Sequence, residues 1–515
     1  MIYPIQIQAQ RLPDKPAVIE DRPDGTRLSW TYGELNRQAN RLAHVLIDLG
    51  LKAGERIVVC GPNSAAGIRT GYARAKVGAT AVPLNYRLTP EETAYIVDDS
   101  DAVLACVDAE QAPIFAQIRA SIPRVRAVLV FDGPAPAGTL DGDALVAKAS
   151  DAEPPVAPPT QGNSMIYTSG TTGRPKGAVR PPLDPMAVVP LIRHIGYVED
   201  DVYLTTGPLY HSGPGGFLQV AHLLGNTAII QRRFDAEDWL RLLQTYRVTT
   251  TFSAPTPIRL VVNLPATVKS RYDRSSMKRM IANAAPWSFA LKEQYLADFP
   301  EDSLWEVYGS TELGVDTVLA PKDQRRKPGS CGQAAPGVEI KLFDEAGCEV
   351  TEPGKPGEVY VRSINNFVDY HKAREKFDAN RQGDFLSVGD IAYRDAEGFY
   401  YICDRKSDMI ISGGMNVYPA EIEAALERHP AVLEVAVFGI PSDEWGESVH
   451  AVVVTHPGKV VSADDVTAFA RTHLAGYKVP RSMTFAGELP KTGSGKILKR
   501  SLREPFWQGR TRRVG

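Results

Sequence analysis

The first third of the chain alternates short apolar runs with helix-length amphipathic ones, and no other feature limits the fold as strongly. Arg56–Cys60 (RIVVC), Thr80–Leu84 (TAVPL), Ala102–Val107 (AVLACV) and Arg126–Phe131 (RAVLVF) read as strands, with helical patterns between several of them. Thr31-Tyr32-Gly33-Glu34 forms a capping box, and Leu35, Ala39, Leu42, Ala43, Leu46 and Leu49 then share one helical face until Gly50 ends the run. Alternation of this kind predicts a largely parallel sheet covered by helices. Further strand candidates start at Ser164, Asp201, Asn226, Thr249, Lys278 and Leu304. From Lys327 the texture shifts to Gly- and Pro-rich short alternating runs, which suggest antiparallel strands and a small β-barrel. Past Asp404 a new unit follows, with helices from Pro419 and from Ala463 to Leu474 around strands at LEVAVFGI and VHAVVVTH. The expected architecture is a large N-terminal α/β domain (1–404, with a β-rich subdomain at 327–404) and a smaller α+β C-terminal domain (405–515) on a hinge.

A chain of 515 residues, 43% hydrophobic and 23% charged, is long enough for such a core. A net charge of -3 gives no reason to expect a nucleic-acid partner. The basic C-terminal run (Lys496, Lys499, Arg500, Arg503, Arg510, Arg512, Arg513) reads first as a solvated tail and second as a contact with a phosphate or, weakly and peripherally, with an acidic membrane surface. Cys60, Cys106, Cys331, Cys348 and Cys403 have no C-x-x-C spacing, so a reducing cytoplasm fits better than a disulfide framework. MIYPIQIQAQ lacks a signal-peptide pattern, and no apolar run approaches the ~20 residues that span a bilayer.

Four stretches carry chemistry. YTSGTTGRPKGAV, Tyr167–Val179, follows a strand directly and combines hydroxyls, glycines and one lysine. It is not a Walker loop, because Lys176 is followed by Gly177 rather than Ser or Thr. Its hydroxyls and the close backbone approach its glycines allow still suit phosphate. YGSTELG, Tyr308–Gly314, places Thr311 beside Glu312, a pair able to hold a phosphate oxygen and its Mg²⁺, a cation satisfied with one or two carboxylates plus phosphates. Asp390 and Arg405 could share ribose hydroxyls, and LPKTGSGKILKR, Leu489–Arg500, sets Lys496 among glycines as a mobile cation.

In this order, and over essentially the whole chain, these stretches resemble the acyl-adenylate-forming superfamily of AMP-forming ligases, in its acyl-CoA synthetase or fatty-acid–CoA ligase branch. The resemblance implies that Thr168, Ser169, Gly170, Thr171, Thr172, Gly173 and Lys176 close over the phosphates of ATP. It puts Ala284, Ala285 and Pro286 at the adenine, with Tyr308 stacked near it, Gly309 and Thr311 beside the nucleotide, and Asp390 and Arg405 on the ribose. It makes Lys496, Thr172, Glu312 and His211 the catalytic residues, with Glu312 and Thr172 on Mg²⁺. Tyr210, His211, Gly213, Gly216, Trp287, Gly309 and Gly314 would wall the acid's pocket. Arg87, Ser412, Gly413, Gly414 and Lys478 would meet CoA.

Two residues depart from the family pattern: Ser407 stands at the hinge position, usually Asp or Lys, and Trp287 replaces a small aliphatic residue. The implied activity joins a mainly apolar acid (fatty, aromatic or ring-derived) to AMP and then to the CoA thiol. The alternatives are loading of a carrier protein, although no LGGxS-type carrier segment precedes Gly515, and a non-catalytic ATP-binding regulator. A homodimer is left open. A luciferase-like oxygenase, which shares the first half-reaction, is disfavoured, and a dehydrogenase is excluded in practice, because no G-x-G-x-x-G follows a strand with an acidic residue about 20 positions on.

Overall fold

The structure, a computed structural model, describes residues 4–158, 160, 162–168, 175–182, 184–285, 287–492 and 496–508. The capping box forms as read: Glu34 N donates to Thr31 Oγ1 at 3.2 Å and Thr31 N to Glu34 Oε2 at 2.8 Å. It starts the helix Tyr32–Asp48, which buries Leu35, Ala39, Leu42, Ala43 and Leu46.

Among the described residues two large sheets build the N-terminal unit. One has eight strands in the order Asp369–Tyr370, Lys176–Arg180, Ser164–Thr168, Thr80–Leu84, Arg56–Cys60, Ala102–Asp108, Ala127–Phe131, Leu140–Asp141. The other has nine: Gln333–Ala334, Gly314–Leu319, Leu304–Ser310, Arg279–Ala282, Thr250–Ser253, Val202–Thr205, Thr227–Ile230, Pro16–Asp21, Arg27–Thr31. Their interiors are parallel, as the alternation predicts, and antiparallel pairs occur only towards the edges.

Successive strand residues serve opposite faces of the nine-stranded sheet. Tyr203, Ala228, Ile230, Phe252 and Ile281 face one core with Phe217 and Leu218, while Leu204, Ile229, Met280 and Ala282 face another with Trp239 and Tyr295.

The region expected to form a small barrel contributes antiparallel strands Glu339–Phe343, Gly357–Arg362, Phe385–Arg394, Arg381–Gln382 and Tyr400–Arg405. Their pairing is a branched ladder, with Phe385–Arg394 at the branch. The C-terminal unit pairs Met415–Val417, Ile410–Ser412, Gly446–Thr455 and Val432–Ser442, with Ser482–Phe485 added in parallel to Gly446–Thr455. The helices Pro419–Leu426 and Ala463–His473 cover its core through Ile422, Leu426, Val466 and Ala470.

Candidate functional site

The Thr- and Gly-rich run is flanked by two strands that pair antiparallel. Strand Ser164–Thr168 returns as Lys176–Arg180, with Thr168 opposite Lys176. Lys176 therefore opens the return strand, which the sequence reading took as loop. Ser169, Gly170, Thr171, Thr172 and Gly173 lie outside the described residues. The flanking residues are held from the helix Pro90–Asp99: Tyr167 Oη donates to Asp99 Oδ2 at 2.6 Å, and Tyr95 Oη to Pro175 O at 3.2 Å.

A second hairpin, Leu304–Ser310 to Gly314–Leu319, presents Thr311 and Glu312 at its turn. Its strands touch at Gly309, where a Cβ would lie 1.9 Å from Gly314 O, so only glycine fits. Thr311 Oγ1 meets Ser212 Oγ at 3.0 Å, and Arg180 Nη1 donates to the carbonyls of Thr311 (2.9 Å) and Glu312 (3.2 Å). Glu312 is buried, and both of its side-chain donors reach one oxygen: Thr168 Oγ1 at 2.9 Å and Tyr370 Oη at 3.1 Å, each to Oε1. No donor among the described residues reaches Oε2. A carboxylate with one oxygen tied and the other available fits Mg²⁺, which takes few protein ligands. Among the described residues no three His, Cys, Asp or Glu side chains gather as a metal cage.

Asp390 and Arg405 are cross-strand neighbours, and Arg405 Nε lies 3.4 Å from Asp390 Oδ1. The Asp390 charge raises the Arg405 pKa. Tyr308 Oη donates to Asp390 Oδ2 at 2.7 Å, so the phenol holds the ribose-candidate carboxylate, a link the sequence reading missed. Nearby Asp316 is fully buried and neither carboxylate oxygen finds a hydrogen bond among the described residues. Burial first, then the Asp390 charge, raises its pKa well above the usual carboxylate value.

Lys496 comes to this cluster from the C-terminal unit. Its residue surface is exposed, yet the protein crowding its amine lowers its pKa through desolvation and then the Arg405 charge, with Asp390 and Glu312 opposing. Lys496 also acts on His211. Burial, then Lys496, then Arg87 push the His211 pKa down to about 4, so the ring is neutral near pH 7. Its Nε2 is buried without a partner among the described residues, as is Tyr210 Oη, and the two rings lie 4.4 Å apart.

His211 precedes the helix Ser212–Leu223, along which two candidate glycines differ. A Cβ on Gly213 would sit 2.3 Å from the Phe252 ring, so Gly213 lets the helix pack on its sheet and is not open pocket wall. Gly216 has no atom within 4 Å of such a Cβ and faces open space. Gly314, at φ +90°, turns the Thr311–Glu312 hairpin. Ala284 adopts φ +70°, and Asn283 braces this turn by accepting from Ala284 N and donating to Val307 O. Ala285 follows, and Pro286 lies outside the described residues.

Trp287 corrects an expectation. It is buried with Trp239, Leu291, Tyr295 and Phe299, the cluster on the opposite sheet face from Phe217 and Phe252. The helix Phe289–Asp298, which it precedes, packs on that face through Leu291 and Tyr295 and takes the indole with it.

The CoA candidates are scattered. The Arg87 guanidinium stands over the Tyr86 ring at 5.5 Å and its charge reaches Tyr210 and His211, placing it on the acid side. Lys478 is already neutralised by Glu421 at 2.6 Å, so it is not a free phosphate contact. Ser412, Gly413 and Gly414 form a tight turn between Ile410–Ser412 and Met415–Val417, and Trp445 covers Gly413 so closely that a Cβ there would meet its ring at 2.7 Å.

The chain is similar to known proteins along nearly its full length. The profile of the AMP-binding enzyme family matches residues 5–371, and that of the AMP-binding enzyme C-terminal domain matches 421–496. A feruloyl-CoA synthase of Amycolatopsis sp is 36% identical over 511 residues, covering 98% of each protein. A fatty acid–[acyl-carrier-protein] ligase, ScoC, of Streptomyces coeruleorubidus is 33% identical over 528 residues, covering 100% of this chain and 98% of that protein. The anthranilate CoA ligase AuaEII, solved with anthranoyl-AMP, superposes with a TM-score of 0.87 at 27% identity, covering 98% of each chain.

Proposed function

The chain belongs to the AMP-binding enzyme family, and from that premise we infer that it is an AMP-forming acid–CoA ligase acting on a mainly apolar carboxylic acid. One observation carries the residue assignment: Lys496, from the C-terminal unit, lies close enough to Glu312, Asp390, Arg405 and His211 for charges to be felt among them.

A carboxylate is a poor acyl donor because its leaving group is oxide. Attack of the acid on the α-phosphate of ATP expels pyrophosphate and leaves an acyl-adenylate, whose AMP departs readily when a thiol attacks. Negative charge grows on the phosphoryl oxygens in the first step, so the Lys496 amine and the hydroxyl of Thr311 would stabilise it. Contacts of this kind are worth about 3–4 kcal/mol each. Mg²⁺ held by Glu312 would supply further charge neutralisation at the phosphates. Asp390 and Arg405 would fix the nucleotide, with Tyr308 fixing Asp390. His211, kept neutral, presents an uncharged edge beside the acid and adds no competing proton donor near pH 7.

The acid would lie along the helix Ser212–Leu223, over Gly216, beside the Tyr210 and His211 rings. Those walls favour fatty, aromatic or ring-derived acids. The swivel between units would fall between strands Tyr400–Arg405 and Ile410–Ser412, where Ser407 lies. All five cysteines are free thiols, which suits the reducing cytoplasm, where ATP and CoA are also at hand.

The test is ATP–pyrophosphate exchange with ferulate, anthranilate and palmitate, followed by CoA addition. Exchange before CoA and AMP release with thioester after it are expected. Failure of every acid to drive exchange would refute the reading. Exchange that never yields a CoA thioester would favour a carrier-protein acceptor, the second reading, supported by the likeness to ScoC.

A further inference from the structure

Lys496 and its neighbour Ile497 are tied back to Lys491 and Thr492. A bridge pairs Lys491 with Ile497, while Thr492 N donates to Lys496 O at 2.7 Å and Lys496 N to Thr492 Oγ1 at 3.1 Å. Lys491 is anchored: its Nζ donates to both oxygens of Glu434, at 2.7 and 2.8 Å. Glu434 stands near the start of strand Val432–Ser442 in the C-terminal unit. The same Oε1 also accepts from Arg259 Nη1 at 2.9 Å, and that nitrogen donates to Leu433 O at 3.0 Å. Arg259 belongs to the other unit, on the helix Pro255–Val262 that directly follows sheet strand Thr250–Ser253. The three side chains retain only 17%, 11% and 26% of their exposure, so solvent screens this triad weakly.

We propose that Glu434, bridged between Arg259 and Lys491, is a positioning residue for Lys496. It ties Lys491, to which the residues beside the amine are bonded, to the rigid sheet of the larger unit. This rests on the reading of Lys496 as the lysine of the adenylation step.

Arg259 and Glu434 lie on opposite sides of the swivel, so their contact is made in the arrangement seen here and breaks when the small unit turns. Its effect therefore falls on the first half-reaction. The Lys491–Glu434 contact lies within one unit and turns with it. A brace serving only stability would act on both halves alike, so the half-reactions distinguish the two roles.

The experiment uses the full chain and four variants: Lys496→Ala, Glu434→Gln, Arg259→Gln and Arg259→Lys. Pyrophosphate exchange is measured with whichever of ferulate, anthranilate and palmitate is fastest. CoA thioester formation is then measured from the synthetic adenylate of that acid. Glu434→Gln and Arg259→Gln should lose exchange by about 5- to 150-fold, the usual span of coupling between sites, while transfer to CoA stays near the parent rate. Arg259→Lys, which keeps the charge, should recover part of the exchange. Equal loss in both halves, or no loss of exchange, in Glu434→Gln and Arg259→Gln while Lys496→Ala abolishes exchange, would overturn the proposal alone. Full exchange by Lys496→Ala would overturn the lysine assignment and the proposal with it.

Discussion

Gly309→Ala is the sharpest test of how the Thr311–Glu312 turn is held. A Cβ at this position lies 1.9 Å from Gly314 O and 2.9 Å from Gly314 C, both backbone atoms that no rotamer can move. Real contacts of this type stay above about 3.0 Å, so the two strands must part by about 1 Å. The displaced segment, residues 310–313, carries Thr311 and Glu312, and a 1 Å misplacement of reacting groups costs about 10²-fold in rate. The overlap should also destabilise the fold by about 1–3 kcal/mol, the usual range for overpacking. Pyrophosphate exchange at saturating ATP and acid reads the first effect, and urea unfolding the second. Gly71→Ala is the control: it lies on the helix Ala65–Val77, outside the candidate site, and its Cβ meets nothing within 4 Å, so exchange and its dependence on ATP should be retained. If Gly309→Ala exchanged as fast as the parent while remaining folded, strand spacing at this hairpin would not govern the chemistry.

Tyr370→Phe removes one of the two donors to Glu312 Oε1 and should raise the Mg²⁺ concentration for half-maximal exchange about 10-fold, since a hydrogen bond to a charged group is worth about 1.5–3 kcal/mol; an unchanged Mg²⁺ dependence would refute the orienting role. Gly216→Leu should fill open space beside the acid and depress kcat/KM for palmitate more than for anthranilate, with KM for ATP unaltered; equal losses for both acids would show that this wall does not measure the acid. His222 is fully buried, with Nε2 donating to Ala17 O at 3.1 Å and Nδ1 accepting from Tyr72 Oη at 2.6 Å, and burial lowers its pKa from 6.5 to about 4. A depressed folded-state pKa contributes stability above pH 6.5 that is lost as pH falls towards 4, about 3 kcal/mol over that window at 1.4 kcal/mol per unit. His222→Gln should remove that part of the slope in urea unfolding from pH 7 to 4, and a parallel slope in parent and variant would contradict the assignment.

Features set by local rules were legible in the sequence. The capping box at Thr31 needs only residues three apart, and the apolar strand runs announce themselves by composition. Lys176–Arg180 was not legible as a strand, because KGAVR is short and continues a glycine-rich run; its pairing with Ser164–Thr168 creates the strand. Trp287 shows a second limit. Its neighbours suggested the acid's pocket, but the choice between two sheet faces depends on where the helix Phe289–Asp298 packs, which no local pattern encodes. The candidate site repeats the lesson. Residues within motifs, such as Glu312, Asp390 and Lys496, could be picked out because their chemistry is compact in sequence. Their distant partners could not: Tyr370 reaches Glu312 across 58 positions, and Arg259 reaches Glu434, in the proposed brace of Lys496, across 175. A phenol or a guanidinium in an ordinary surrounding carries no mark of such a role. Motifs thus point to candidate substrate-contacting groups, whereas the side chains that hold those groups come from distant segments that no motif marks.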